Sequence, residues 1–122
     1  MVRSEITVNE LSGAFANHET ADAIDKGNDH YIDAGANFKR LILSFELSAA
    51  TAADTITIVA GGGDGPAFRR DLGDLVFEAA GGAERVCIGP IETARFLQAD
   101  GTIHIDIAGT SIAGSIDAYA LP

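Results

Sequence analysis

Four aspartates crowd one short stretch of this 122-residue chain: Asp22, Asp25, Asp29 and Asp33, with Asn28 and His30 among them. Carboxylates at this density are the raw material of a cation site. An EF-hand loop, however, needs Asp-x-Asp-x-Asp-Gly and a Glu at its twelfth position, and the order here is different. His18, His30 and His104 do not have the spacing of transition-metal ligands. The expectation is therefore no metal and no cofactor.

Gly61-Gly62-Gly63-Asp64-Gly65 has the glycine content of a phosphate loop but no Lys, and Pro66 follows it in place of a helix start. It reads as a surface loop. Cys87 is the single cysteine, so no disulfide can form within the chain. Between Val86 and Ile88 it reads as a buried structural thiol, with no base placed beside it to make it a nucleophile. Ser44, Ser111 and Ser115 lie in no nucleophile elbow. Carboxylate pairs for glycoside hydrolysis need a cleft, and glycan clefts are usually lined with aromatics. This chain has no Trp, two Tyr and six Phe. The expectation is that the protein is not an enzyme.

The elements that would position these residues are strands. Glu5–Asn9 alternates with Ile6 and Val8 on one face, and His30–Asp33 is a short strand. Arg40–Leu47 is the clearest, with Leu41, Leu43, Phe45 and Leu47 inward. Asp54–Val59, Leu75–Glu78, Arg85–Ile88, Ala94–Leu97, Thr102–Ile107 and Ser115–Ala120 follow. Gly89-Pro90 ends one of them, since proline cannot donate to a ladder, and Asp100-Gly101 is a hairpin signal. Leu11–Asp25 carries no sustained helical stripe and reads as loop with a short strand or a single helical turn. About eight or nine short, mostly antiparallel strands at this spacing predict an all-β single domain over residues 1–122, a sandwich or barrel of jelly-roll or β-tulip type. Residues 1–25 are a candidate N-terminal arm plus first strand.

Charge excludes one class of partner. Eight basic and eighteen acidic residues give a formal charge of −10, and the basic residues form no run. A nucleic-acid binder needs a cationic footprint, so nucleic acid is not expected. No apolar run is long enough to span a bilayer, and the N-terminal residues lack a signal-peptide core. The expectation is synthesis in the cytoplasm without membrane attachment.

Two segments carry a resemblance. Gly81-Gly82-Ala83-Glu84-Arg85-Val86-Cys87-Ile88-Gly89-Pro90 is similar to a Gly-Gly-Glu-Arg-Val-Ile-Gly-Pro turn and strand, with Ala83 and Cys87 as extra residues. Phe96, the Asp100-Gly101 turn, the strand Thr102–Asp106 and the closing Leu121-Pro122 continue the likeness, as does Thr55–Val59 upstream. These motifs resemble small head decoration, or cement, proteins of tailed bacteriophages. The resemblance implies a virion protein, made in a host cytoplasm, that binds the outer face of an assembled capsid. It implies the major capsid protein as partner, a homotrimer, and no enzymatic activity. On this reading Arg3 in the arm and Phe68, Arg69 and Arg70 after the glycine loop are the candidate contact residues, because aromatic and Arg side chains are the usual interface anchors. The alternative is another virion β-module, tail- or fibre-associated, with affinity for glycans.

Overall fold

Alternation of period two governs the longest strands. In a computed structural model, which describes residues 2–34, 40–62, 67–91 and 93–121, the chain forms ten strands. They are β1 (Ser4–Glu5), β2 (Val8–Glu10), β3 (Asp22–Ala23), β4 (His30–Asp33), β5 (Arg40–Ala49), β6 (Thr55–Ile58), β7 (Leu75–Glu78), β8 (Glu84–Ile88), β9 (Thr102–Ala108) and β10 (Ala113–Leu121). A 3-10 turn, Arg70–Leu72, precedes β7, and one helical turn, α1 (Thr93–Phe96), precedes β9. Parts of the sequence reading fall outside the described residues: Met1, Gly35, Lys39, Gly63–Pro66 and Pro122.

The strands make two packed sheets, ordered β1-β4-β9-β6-β7 and β2-β10-β5-β8, with β3 also paired to β10. Among themselves, strands β3 to β10 pair only antiparallel, and their distribution is that of a jelly roll, with β3, β5, β8 and β10 in one sheet and β4, β6, β7 and β9 in the other. This is the expected all-β sandwich. The two added strands pair in parallel, β1 with β4 and β2 with β10.

One inner face carries Leu41, Leu43, Phe45 and Leu47 of β5 beside Ile116, Ala118 and Ala120 of β10; the other carries Ile32, Ile56, Ile58, Ile103, Ile105 and Ile107. Large faces small across the β5–β10 register, as in Leu41 with Ala120 and Leu43 with Ala118. Each fully buried aliphatic side chain is worth about 1.5–3 kcal/mol of transfer free energy. At the irregularity that starts β10, Gly114 has a φ of 147°, and a Cβ there would sit on the Glu46 carbonyl oxygen. Only glycine lets these two strands approach so closely.

Three sequence expectations change. Glu5–Asn9 is not one strand: the chain pairs with β4 up to Glu5, crosses at Ile6, and pairs with β10 from Val8. The break alters the parity, so Asn9, expected outward, is buried and its amide donates to the Ala118 carbonyl at 3.2 Å. Ala94–Leu97 is a helical turn, closed by the Leu97 amide on the Thr93 carbonyl at 3.0 Å; only Leu97 bridges to Ile103. Cys87 is exposed. Val86 and Ile88 turn toward the core, so alternation forces Cys87 the other way.

Candidate functional site

One end of the sandwich is fastened by three loops meeting beyond the end of β6. The Gly61 amide donates to the Arg95 carbonyl at 2.8 Å, and the Arg69 amide to the Ala94 carbonyl at 2.7 Å. Asp74 accepts from the Ala60 amide at 2.7 Å, and the Gln98 side chain donates to the Ala60 carbonyl at 3.0 Å. Arg95 donates from Nε to the Gly73 carbonyl at 2.8 Å, while its guanidinium lies 4.8 Å from the centre of the Phe96 ring. Gly61 is required at this junction: a Cβ would come within 2.5 Å of the Ala67 methyl and 2.6 Å of the Leu97 carbonyl oxygen.

This framework presents Phe68, Arg69 and Arg70 together. Phe68 is 79% exposed, and Arg70 donates to the Ala67 carbonyl at 2.7 Å. Exposed Leu72 and Val76 extend the apolar strip onto β7. Arg95 joins the two arginines. Leu72, Val76 and Arg95 are residues that sequence reading missed; β7 lies at a sheet edge, and only the strand order reveals that.

Arg3 does not belong to this group. It donates to the carbonyls of His30 (3.1 Å) and Ile105 (3.3 Å) and pairs with Asp106 at 2.7 Å. It braces β1 against β4 and β9.

Beside the strip the sandwich is open. Strands β7 and β8 end their respective sheets, and an apolar cleft of about 230 Å³ lies between them, lined by Phe45, Ile58, Phe77, Val86 and Ile88 with Cys87 at its rim. The inward residues of both strands are only half-buried.

Two polar groupings lie elsewhere. Ser4, Asp25 and His30 have the composition of a catalytic triad but different wiring. The Ser4 hydroxyl donates to Asp25 at 2.6 Å, and the Asp25 backbone amide donates to His30 Nε2 at 2.8 Å. Nε2, the atom a general base would use, is therefore occupied. His30 is buried and its Nδ1 lacks a well-formed partner. Burial depresses its pKa, opposed by the Ser4 backbone and by the charges of Asp25, Asp22 and Asp29. The Ser4 hydroxyl bond, with Asn28, holds the Asp25 carboxyl below the usual range. The second grouping is an open polar dish of about 450 Å³, formed by Arg3, Tyr31, Asp100, Thr102 and His104. Burial and then the Arg3 charge lower the His104 pKa, and a hydrogen bond from Thr102 lowers that of Asp100.

Among the described residues no group of three or more His, Cys, Asp or Glu side chains could hold a metal ion, and no helix is long and apolar enough to cross a membrane. Comparison with family models, with curated proteins and with solved structures finds no match.

Proposed function

We propose that this protein is a non-catalytic docking module that binds the outer surface of an assembled viral shell and clamps neighbouring capsid subunits. The observation that carries the reading is the strip Phe68–Leu72–Val76 beside Arg69, Arg70 and Arg95, held on a rigid framework. Exposed aromatic and Arg side chains on a pre-formed scaffold are what an interface anchor requires. Arg69, Arg70 and Arg95 give this end three of the chain's eight basic residues, which favours contact with an acidic partner. A shell offers many identical sites, so each contact can be modest and still act through avidity. Binding only the assembled form stabilises it by mass action. The jelly roll is an architecture that viral capsid domains share with lectins, an argument of fold analogy alone.

The test is co-sedimentation with undecorated heads of the source virus at low and high salt. Saturable pelleting by the wild type, lost in Arg69→Glu/Arg70→Glu and weakened by salt, is the expected result. A folded wild-type sample that fails to pellet in either salt would refute the proposal.

The polar dish favours a second reading, a virion module with glycan affinity. Tyr31, His104, Asp100 and Arg3 supply one ring face and several hydrogen-bonding groups. Strong binding to a defined sugar on a glycan array, lost in Tyr31→Ala, would favour it.

A further inference from the structure

Among the described residues, the large apolar side chains left in water fall into two groups: Val2, Leu11 and Phe15 in the N-terminal segment, and Phe68, Leu72 and Val76 beside the cleft. Residues 11–20 are all exposed, and Phe15 is fully so. The segment is nonetheless anchored at both ends to the side of the sandwich away from the cleft. The Leu11 amide donates to the Ala120 carbonyl at 2.9 Å, the Glu19 amide to Asn9 Oδ1 at 2.8 Å, and His18 Nε2 lies 2.8 Å from the Tyr119 hydroxyl. Phe15 is three residues from the His18 anchor, a reach of roughly 10 Å. The cleft lies beyond β5 and β8, two strand spacings or roughly 10 Å from β10, and then behind the edge. Phe15 does not fill the cleft of its own molecule: its ring is fully exposed and lines no part of that cleft.

We propose that the loop carrying Phe15 inserts that ring into the β7/β8 cleft of a second copy, so that copies join head to tail. Size and hydrogen bonding support this occupant. An apolar cavity of about 150 Å³ accommodates benzene, and the cleft measures about 230 Å³. Strands β7 and β8 each present an outer edge whose amides and carbonyls can pair with an extended segment. The two surfaces differ and lie on opposite sides, so the contact is heterologous: it closes into a ring if the rotation permits and otherwise propagates. This inference is independent of the shell reading, since it needs no capsid.

Sedimentation equilibrium tests it. The average mass of the wild type is expected to rise with concentration toward the submillimolar range, while Phe15→Asp, altered at a side chain with no contacts to lose, stays monomeric. Val86→Glu blocks the cleft and is likewise expected to stay monomeric. Mixing the two variants restores one intact loop and one intact cleft, so dimers form and nothing larger. If Val86→Glu fails to fold, Phe15→Cys and Val86→Cys in a Cys87→Ser background replace it, and a disulfide between molecules is expected on oxidation. A wild type that remains monomeric, a Phe15→Asp variant that associates like the wild type, or a paired-cysteine protein that does not crosslink would overturn the proposal. A monomer whose melting temperature rises with benzene or indole would also overturn it, by giving the cleft to a small ligand.

Discussion

The two sides of the sandwich end differently. On one, the chain laces the sheets together: β1 pairs with β4, Ile6 crosses with 1% of its surface exposed, and β2 continues along β10. Arg3 and Asn9 fasten this crossing to backbone carbonyls on either side. On the other, β7 and β8 diverge, Leu75, Phe77, Val86 and Ile88 stay half-buried, and a cleft remains. The same physics operates on both. An edge that is paired and covered contributes to stability; an edge left apolar and unpaired is available to something else. The closed side holds the fold, and the open side is the one to which we assign the docking strip and the receiving cleft.

The strongest way to break this contrast is to remove equivalent apolar groups from each side. Ile6→Ala opens a cavity where the structure is sealed and is expected to cost about 2–5 kcal/mol in denaturant unfolding. Val86→Ala, already half in water, is expected to cost less than about 1.5 kcal/mol. Equal costs would erase the distinction.

A second prediction concerns acid. His30 lies against the closed side with a folded-state pKa depressed by burial, among Asp22, Asp25, Asp29 and the backbone contact of Arg3. A depressed pKa means the unfolded chain takes up the proton first. The stability that neutral His30 contributes is therefore complete above about pH 6.5 and is lost as pH falls through the folded pKa. His30→Gln is expected to cost about 1–3 kcal/mol at neutral pH and to flatten the dependence of melting temperature on pH below that value. An unchanged slope would show that other groups carry the acid response.

Smaller effects are expected on the open side. Phe68→Ala and Leu72→Ala should each change stability by no more than about 0.5 kcal/mol, and Phe68→Ala should weaken shell binding. Cys87→Ser is expected to lie within the same limit, and the native thiol to react with a water-soluble thiol reagent without unfolding. A thiol that reacts only in denaturant would contradict the exposed placement of Cys87.

How much of this was legible in the sequence follows from the same contrast. Strands β5 and β9 could be read directly, because Leu41 to Leu47 and Ile103 to Ile107 alternate against one buried face. The inversion of Cys87 was also available: with Val86 and Ile88 inward, alternation leaves it outward. The lacing of the closed side was not legible. Residues 4–10 pair with β4 and β10, the latter more than a hundred residues away, and no local pattern shows that a short run will serve two sheets. Thr93–Phe96 went unread as helix because four residues carry no period. Of the candidate contact residues, Phe68, Arg69 and Arg70 were chosen from residue type and are neighbours in sequence; what the fold adds is the exposure of Phe68. Arg3 was chosen on the same grounds and is committed to carbonyls of its own chain, a distinction that residue type does not contain.

Hydrogen exchange read by mass spectrometry compares the two sides in one experiment. The protein is measured dilute, concentrated, and bound to undecorated heads. New protection is expected in Ala67–Val76 and in β8, with β2 and β10 already slow in the dilute sample and unchanged. Protection that appears instead along β2 and β10, or a β8 that is as slow as β10 when dilute, would contradict the assignment of the open side as the interacting one.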